Sequence, residues 1–423
     1  MSGGTEAYVY EFLPIYYDRF FPFEDLVGWM GGEEKNKKRE IAFQLPPEIY
    51  IRFQSYHTAQ AWREAVKKSK PDRMEIGPLY SQEPRMKDGV HKDMFFAEER
   101  ELIFDIDMDD YDEVRTCCTG AKICRKCWVF LKAAMLLLDH ILREDFGFQH
   151  LMFVYSGRRG VHCWVSDPEV MRLTNEQRSA IIEYVNLFNL QSFGVQAVKL
   201  EKNNATVLHP HVTRSAKLLE PHLLEKILPE QRPLNPPLAD NKHLKIIEAT
   251  LQRGKKPELV TEFQSLCSRI EQKMTGSEVT GQSVEQVANQ ASTDIYRHIE
   301  KLSKSEVGAN KPESEALQYL AAETALRLLF PRLDANVTKQ LNHLAKSPFC
   351  IHPKTGRVCV PIVDPKTFDF ETVPTLGQLI DEINAGGKVN SLEPYLKWFH
   401  TYCAGLEKAR AAFSAANNSM DID

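Results

Sequence analysis

The sequence predicts an α/β protein whose mixed sheets are interrupted by an inserted helical segment, and three observations predict it. Leu102-Ile-Phe-Asp-Ile-Asp-Met108 alternates in the way a strand with one wet face does. Two more apolar runs, 150–155 and 161–166, flank Ser156-Gly-Arg-Arg-Gly160, a junction suited to a hairpin. From about 208 to 324, prolines at 210, 221, 229, 233, 236 and 237 punctuate helical patterns rich in Glu, Gln, Lys and Leu.

The remaining elements follow in order. Tyr10, Leu13, Tyr16, Tyr17 and Phe20 recur at helical spacing until Phe21-Pro22 ends the run. Residues 40–43, 49–55 and 99–108 read as strands, and Trp128 to Asp145 as a buried amphipathic helix. A second strand-forming block is expected at 328–362, with Asp334 ending a short strand and Asn336 or Thr338 capping a following helix. The expected organisation is therefore an α/β domain in two parts, 1–207 and 325–410, with a small cysteine motif at 117–127. A helical subdomain at 208–324 separates the parts, and a disordered tail occupies 411–423.

With 423 residues, 43% of them hydrophobic, the chain is long enough for a large composite domain with a real core. No apolar run approaches the length that crosses a bilayer, and the amino terminus lacks a secretory pattern, so an intracellular protein without membrane association is expected. A net charge of −5 argues against a wholly basic nucleic-acid coat while leaving room for a local basic groove. Nine cysteines, four of them between Cys117 and Cys127, do not form a secreted disulfide framework and point instead to a metal.

Three constellations carry chemistry. Asp105 and Asp107 share one face of their strand, about 6–7 Å apart, a span that suits a pair of divalent ions; the bland alternative is a solvated acidic edge extended by Asp109, Asp110 and Asp112. The Ser156 to His162 block offers two arginines, a hydroxyl and an imidazole where the backbone turns sharply, a set that can hold a polyphosphate. Asp334 can complete a carboxylate triad or merely cap a helix, and Lys346 and His352 stand beside a proline-stiffened loop. Cys117, Cys118, Cys124 and Cys127 have the spacing of a closed, structural zinc site, although a histidine can replace one of the adjacent pair and a reduced, metal-free loop is the alternative. His209 and His211 have no cysteine or carboxylate at ligand spacing in the sequence, which favours structural histidines, and Trp62, Trp164 and Trp398 fit a core better than a base-stacking platform.

Phe104-Asp105-Ile-Asp107, the four cysteines, Ser156-Gly-Arg-Arg-Gly-Val-His162-Cys-Trp164 and Pro331-Arg-Leu-Asp334 with Lys346-Ser-Pro-Phe349 and His352-Pro-Lys-Thr-Gly356 occur in one order. In that order and wording the chain resembles the small catalytic subunit of archaeal and eukaryotic DNA primases, the eukaryotic form most of all. The resemblance covers roughly 8–170 and 325–365 and implies specific roles. Asp105, Asp107 and Asp334 would hold two catalytic Mg²⁺ or Mn²⁺ ions; Ser156, Arg158, Arg159, His162, Lys346 and His352 would bind the incoming nucleotide's phosphates. Arg52 resembles another nucleotide contact, and Glu40 falls where the family keeps an acidic residue at the active site. Glu75 stands where the family's ribose-contacting aspartate is expected, a longer side chain in that place.

The resemblance implies template-directed synthesis of short RNA primers from ribonucleoside triphosphates on single-stranded DNA, in the nucleus. It implies a large primase subunit as partner, within a complex with DNA polymerase alpha, and a structural Zn²⁺. Two other readings are a primase-polymerase acting in DNA damage tolerance and a non-catalytic zinc module that binds nucleic acid.

Overall fold

In a computed structural model of the chain, residues 2–189, 194–195, 199–202, 205–276, 283–307, 312–386 and 391–420 are described. They form two compact units, one built from 1–106, 139–184 and 333–423, the other from 107–138 and 185–332.

The first unit holds two sheets. In one, β1 (Arg39–Leu45) lies between β2 (Ile49–Gln54) and β3 (Arg73–Tyr80); β3 also pairs with the two-residue strand Ala345–Lys346 and with β4 (Ala97–Glu99). In the other, β5 (Leu102–Asp107), β6 (Leu151–Tyr155) and β7 (Gly160–Val165) lie in the order β5-β7-β6. The pairings of described register are antiparallel.

Helix Ser2–Arg19 buries Val9, Leu13, Tyr16 and Tyr17, and the Tyr16 hydroxyl donates to the Phe349 carbonyl at 2.6 Å. Thr58 caps helix Ala59–Ser69, whose Trp62 packs edge-on against Phe21 and Phe23. A fully buried ion pair, Arg39 to Glu101 at 2.9 Å, is completed by Arg39 bonds to the Gly77 and Met30 carbonyls, so that neither charge is left uncompensated. The expected helix at 128–145 is present as Arg125–Glu144.

Three expectations need correction. The block 328–362 contains little strand: helix Leu320–Leu329 runs into it, and Ala345–Lys346 and isolated bridges are what remains of the expected sheet. Prolines at 331, 348, 353 and 361 interrupt it, and its apolar residues are buried in irregular chain. The tail expected to be disordered is helical as far as it is described, because helix Glu393–Met420 runs through 411–420; residues 421–423 lie outside the described set. The cysteine motif belongs with the helical unit, not with the sheets.

That second unit is built on helices Pro210–His222, Lys242–Arg253, Pro257–Met274, Val284–Ser305 and Leu320–Leu329, around Leu219, Leu251, Phe263, Ile295 and Leu326. Asn241 caps the second of these through the His243 and Leu244 amides, and Ser283 forms a capping box with Gln286 at the fourth. Among the described residues no helix is long and apolar enough to cross a membrane.

Candidate active site and metal centre

β5 positions the acidic pair as its alternation dictates: Leu102, Phe104 and Ile106 are buried, and Asp105 and Asp107 are half-buried on the other face. Burial and the neighbouring Asp334 carboxylate push the Asp105 pKa up to about 6, against the opposing effect of His343, the Ile106 amide and Arg73. Asp105 Oδ1 is buried and receives no hydrogen bond, and the His162 imidazole stands beside it with Nε2 at 3.4 Å. A buried carboxylate oxygen without a donor suits a metal ion, which supplies the missing positive charge.

The Asp334 amide donates to the Asp105 carbonyl at 3.1 Å, fixing the two residues side by side. Asp334 itself, not Asn336 or Thr338, caps helix Ala335–Lys339, accepting the Asn336 N–H at 2.9 Å, and no strand precedes it. One exposed carboxylate thus serves as a cap and keeps a second oxygen. Thr338 instead donates to the Ile103 carbonyl at 2.7 Å, anchoring this short helix to β5.

The phosphate-binding candidates of the hairpin and of the 346–357 loop are stitched together. Lys346 is buried, its Nζ donates to the Ser156 carbonyl at 3.1 Å, and among the described residues it has no carboxylate at ion-pair distance. His352 is pushed down to about 3 by burial and by Lys346, Arg158 and Arg73. It is therefore neutral near pH 7, and since its Nδ1 accepts the Lys354 N–H, its Nε2 carries the proton. The Ser156 hydroxyl accepts the Gly160 N–H at 2.9 Å, closing the turn. Gly157, at φ +85°, lies so close to the loop that an added Cβ would stand 2.6 Å from the His352 Cβ. The Gly157 carbonyl accepts from Thr355 at 2.7 Å. Arg159 is half-buried in the same turn.

On the other sheet, the fully buried Glu40 accepts both Nε and Nη2 of Arg52 at 2.9 Å, the Phe53 N–H and the Tyr80 hydroxyl. With its oxygens so occupied, Glu40 orients Arg52. Glu75 is held by Arg73 and by the Tyr50 hydroxyl, and β3 aligns it with Lys346 across the ladder. Sequence reasoning missed Arg73, His343 and Tyr50. Arg73 lies two residues before Glu75, a same-face spacing that becomes visible only once β3 is read as a strand.

The four cysteines do converge: the Sγ atoms of Cys117, Cys118, Cys124 and Cys127 lie within 4.8 Å of one another, with no histidine needed. Among the described residues this is the one such group of three or more ligands, so the aspartates are not drawn into a comparable single-ion cage. The Cys124 N–H donates to Cys127 Sγ at 3.1 Å. Burial raises the Cys117 and Cys118 thiols to about 11; at Cys124 the same burial is outweighed by backbone and thiol donors, and its pKa is lowered. Four soft donors converging in this way can hold a metal such as zinc. Trp62 and Trp164 are core residues, and Trp398 stacks on Tyr402.

Residues 104–364 match the family model described as DNA primase small subunit. The DNA primase small subunit of Drosophila melanogaster is 37% identical over 382 residues, covering 89% of this chain and 82% of its own length. That of Saccharomyces cerevisiae is 34% identical over 404 residues, covering 94% and 91%. The archaeal DNA primase small subunit PriS of Archaeoglobus fulgidus is 29% identical over 157 residues, 36% of this chain and 44% of its own. With the family model spanning more than half of the chain and relatives aligned over nearly all of it, this chain belongs to the DNA primase small-subunit family.

Proposed function

We propose that this chain is the catalytic subunit that makes short RNA primers for DNA replication, joining ribonucleoside triphosphates on a single-stranded DNA template. The observation that carries the reading is the buried, donor-free oxygen of Asp105 beside Asp334, in the same unit as Lys346, Arg158 and His352.

In this reading Asp105, Asp107 and Asp334 hold the divalent ions, Mg²⁺ or Mn²⁺. When bound, such ions activate the attacking 3′-hydroxyl and stabilise the departing pyrophosphate. The protein's own groups do the positioning. Lys346, Arg158 and Arg159 neutralise the triphosphate, while the Nε2–H of His352 and the Ser156 hydroxyl donate to its oxygens. His162 faces both the phosphates and Asp105. Arg52, aimed by Glu40, is a further nucleotide contact, and Glu75 meets the sugar. Holding the α-phosphorus in line with the primer end accounts for much of the acceleration such a site provides.

The chain works with a large primase subunit and in a complex with DNA polymerase alpha, in the nucleus, with Zn²⁺ in the cysteine site. The test is ATP incorporation on an oligo(dT) template bearing a short oligo(A) primer, with Mg²⁺ or Mn²⁺. Extension is expected from the wild type and not from Asp105→Ala/Asp107→Ala. A folded, zinc-replete wild type that extends nothing even with the large subunit would overturn the catalytic reading, and a strong preference for deoxynucleotides would overturn the primer-synthesis reading.

A further inference from the structure

Gln231 is fully buried at the end of the short helix Leu228–Gln231, where an unpaired amide would be destabilising. Three of its polar atoms turn back to the strap that carries the cysteines. Its Oε1 accepts the Thr116 N–H at 2.8 Å, its carbonyl accepts the Thr116 hydroxyl at 2.8 Å, and its Nε2 donates to Cys117 Sγ at 3.3 Å. On the same strap, the Arg115 guanidinium binds the Lys122 carbonyl at 2.9 Å and the Gly120 carbonyl at 2.6 Å, and reaches Cys127 Sγ at 3.8 Å. The residues after Gln231 form one wall of a cavity of about 320 Å³ through Arg232, Asn235 and His243, and the strap forms another through Glu113, Val114 and Thr116.

We propose that Gln231 is a positioning residue of the zinc centre, and that metal binding is thereby linked to the order of segment 228–243. The inference rests on reading the four cysteines as a zinc site. An N–H donated to a metal-bound thiolate disperses its charge and fixes the sulfur's orientation, and the loss of such outer partners typically weakens metal binding by about 10–100-fold. The same amide pins the strap to the insert through Thr116, and linkage requires the effect to be reciprocal. Whatever zinc gains from an ordered Gln231, the Gln231 segment gains from zinc.

Gln231→Leu keeps the bulk and removes the two side-chain bonds, to the Thr116 N–H and to Cys117 Sγ, while the backbone carbonyl can still accept from the Thr116 hydroxyl. Zinc affinity, measured by competition with a chromophoric chelator, is expected to fall about 10–100-fold. In the cobalt-substituted full-length protein, the thiolate-to-cobalt charge-transfer band is expected to move to lower energy, because the Cys117 sulfur becomes more electron-rich. Packing alone would not move that band. Zinc affinity within twofold of wild type together with an unmoved band overturns the proposal. Should the variant not fold, hydrogen exchange on the wild type decides. On zinc removal the amides of Thr116 and of 228–243 are expected to lose protection before those of helix Leu320–Leu329, and uniform loss or none overturns the link. A wild type that takes up no zinc removes the underlying metal reading instead, an outcome visible before any variant is made.

Discussion

At Asp105 function and stability oppose each other. Its folded pKa of about 6 lies above the ordinary aspartate value of 3.8, so its contribution to stability is fully present below about pH 4 and lost as the pH rises through 6. At pH 8 the metal-free protein keeps this carboxylate ionised at an expense of up to about 3 kcal/mol. Asp105→Asn is therefore expected to raise the Tm of the metal-free protein by a few degrees at pH 8 and to leave it unchanged near pH 4, while abolishing primer extension. Thermal melts at the two pH values with chelator present check this. For the same reason Mn²⁺ affinity should fall as the pH drops below about 6, because the ion must displace a proton. Glu40→Gln is a residue-scale contrast: it disturbs the paired bonds to Arg52, so the nucleotide KM should rise several-fold with a smaller change in kcat.

Among the elements, the β6–β7 hairpin depends on Gly157. An alanine there meets both a left-handed backbone and the His352 Cβ, whereas at Gly147, with φ +75°, nothing lies within 4 Å of an added Cβ. Gly147→Ala should destabilise by only about 1 kcal/mol, the backbone penalty. Gly157→Ala should destabilise by more and, by pushing the His352 loop outward, raise the nucleotide KM. Paired denaturation and kinetic measurements distinguish the two. The legibility of these elements followed their periodicity. β5 and the hairpin could be read because alternation and turn residues agree. β3, Arg-Met-Glu-Ile-Gly-Pro-Leu-Tyr, is buried on both faces and has no alternation to betray it, and with it Arg73 and the Tyr50–Glu75 contact stayed hidden. Asp334 reads equally as cap or ligand in the sequence, and the fold gives it the cap while leaving an oxygen over. The block 328–362 looked like sheet because apolar content marks burial as readily as strand.

For the whole molecule, the proposed zinc centre is a stability element distinct from the proposed chemistry. Purification without chelator should yield about one zinc per chain, and its removal should lower the melting temperature and expose the helical unit to protease while the sheets of the first unit stay protected. Less than half an equivalent would count against the site. That the four thiols converge could be expected from their spacing; that Thr116 and Gln231 tie them to a segment more than a hundred residues away in sequence could not.

The pairing of Lys346 with Glu75 has a further consequence. A cation proposed to meet a nucleotide's phosphates and a carboxylate proposed to meet its sugar stand directly opposite each other on paired strands, next to the backbone bond from the Ser347 N–H to the Met74 carbonyl, so their spacing is set by the strand register. The register acts as a caliper: a substrate bound in the proposed way is gauged from charged tail to sugar in a single step, and a one-residue slip of the short strand would turn Lys346 to the wrong face and lose the gauge altogether.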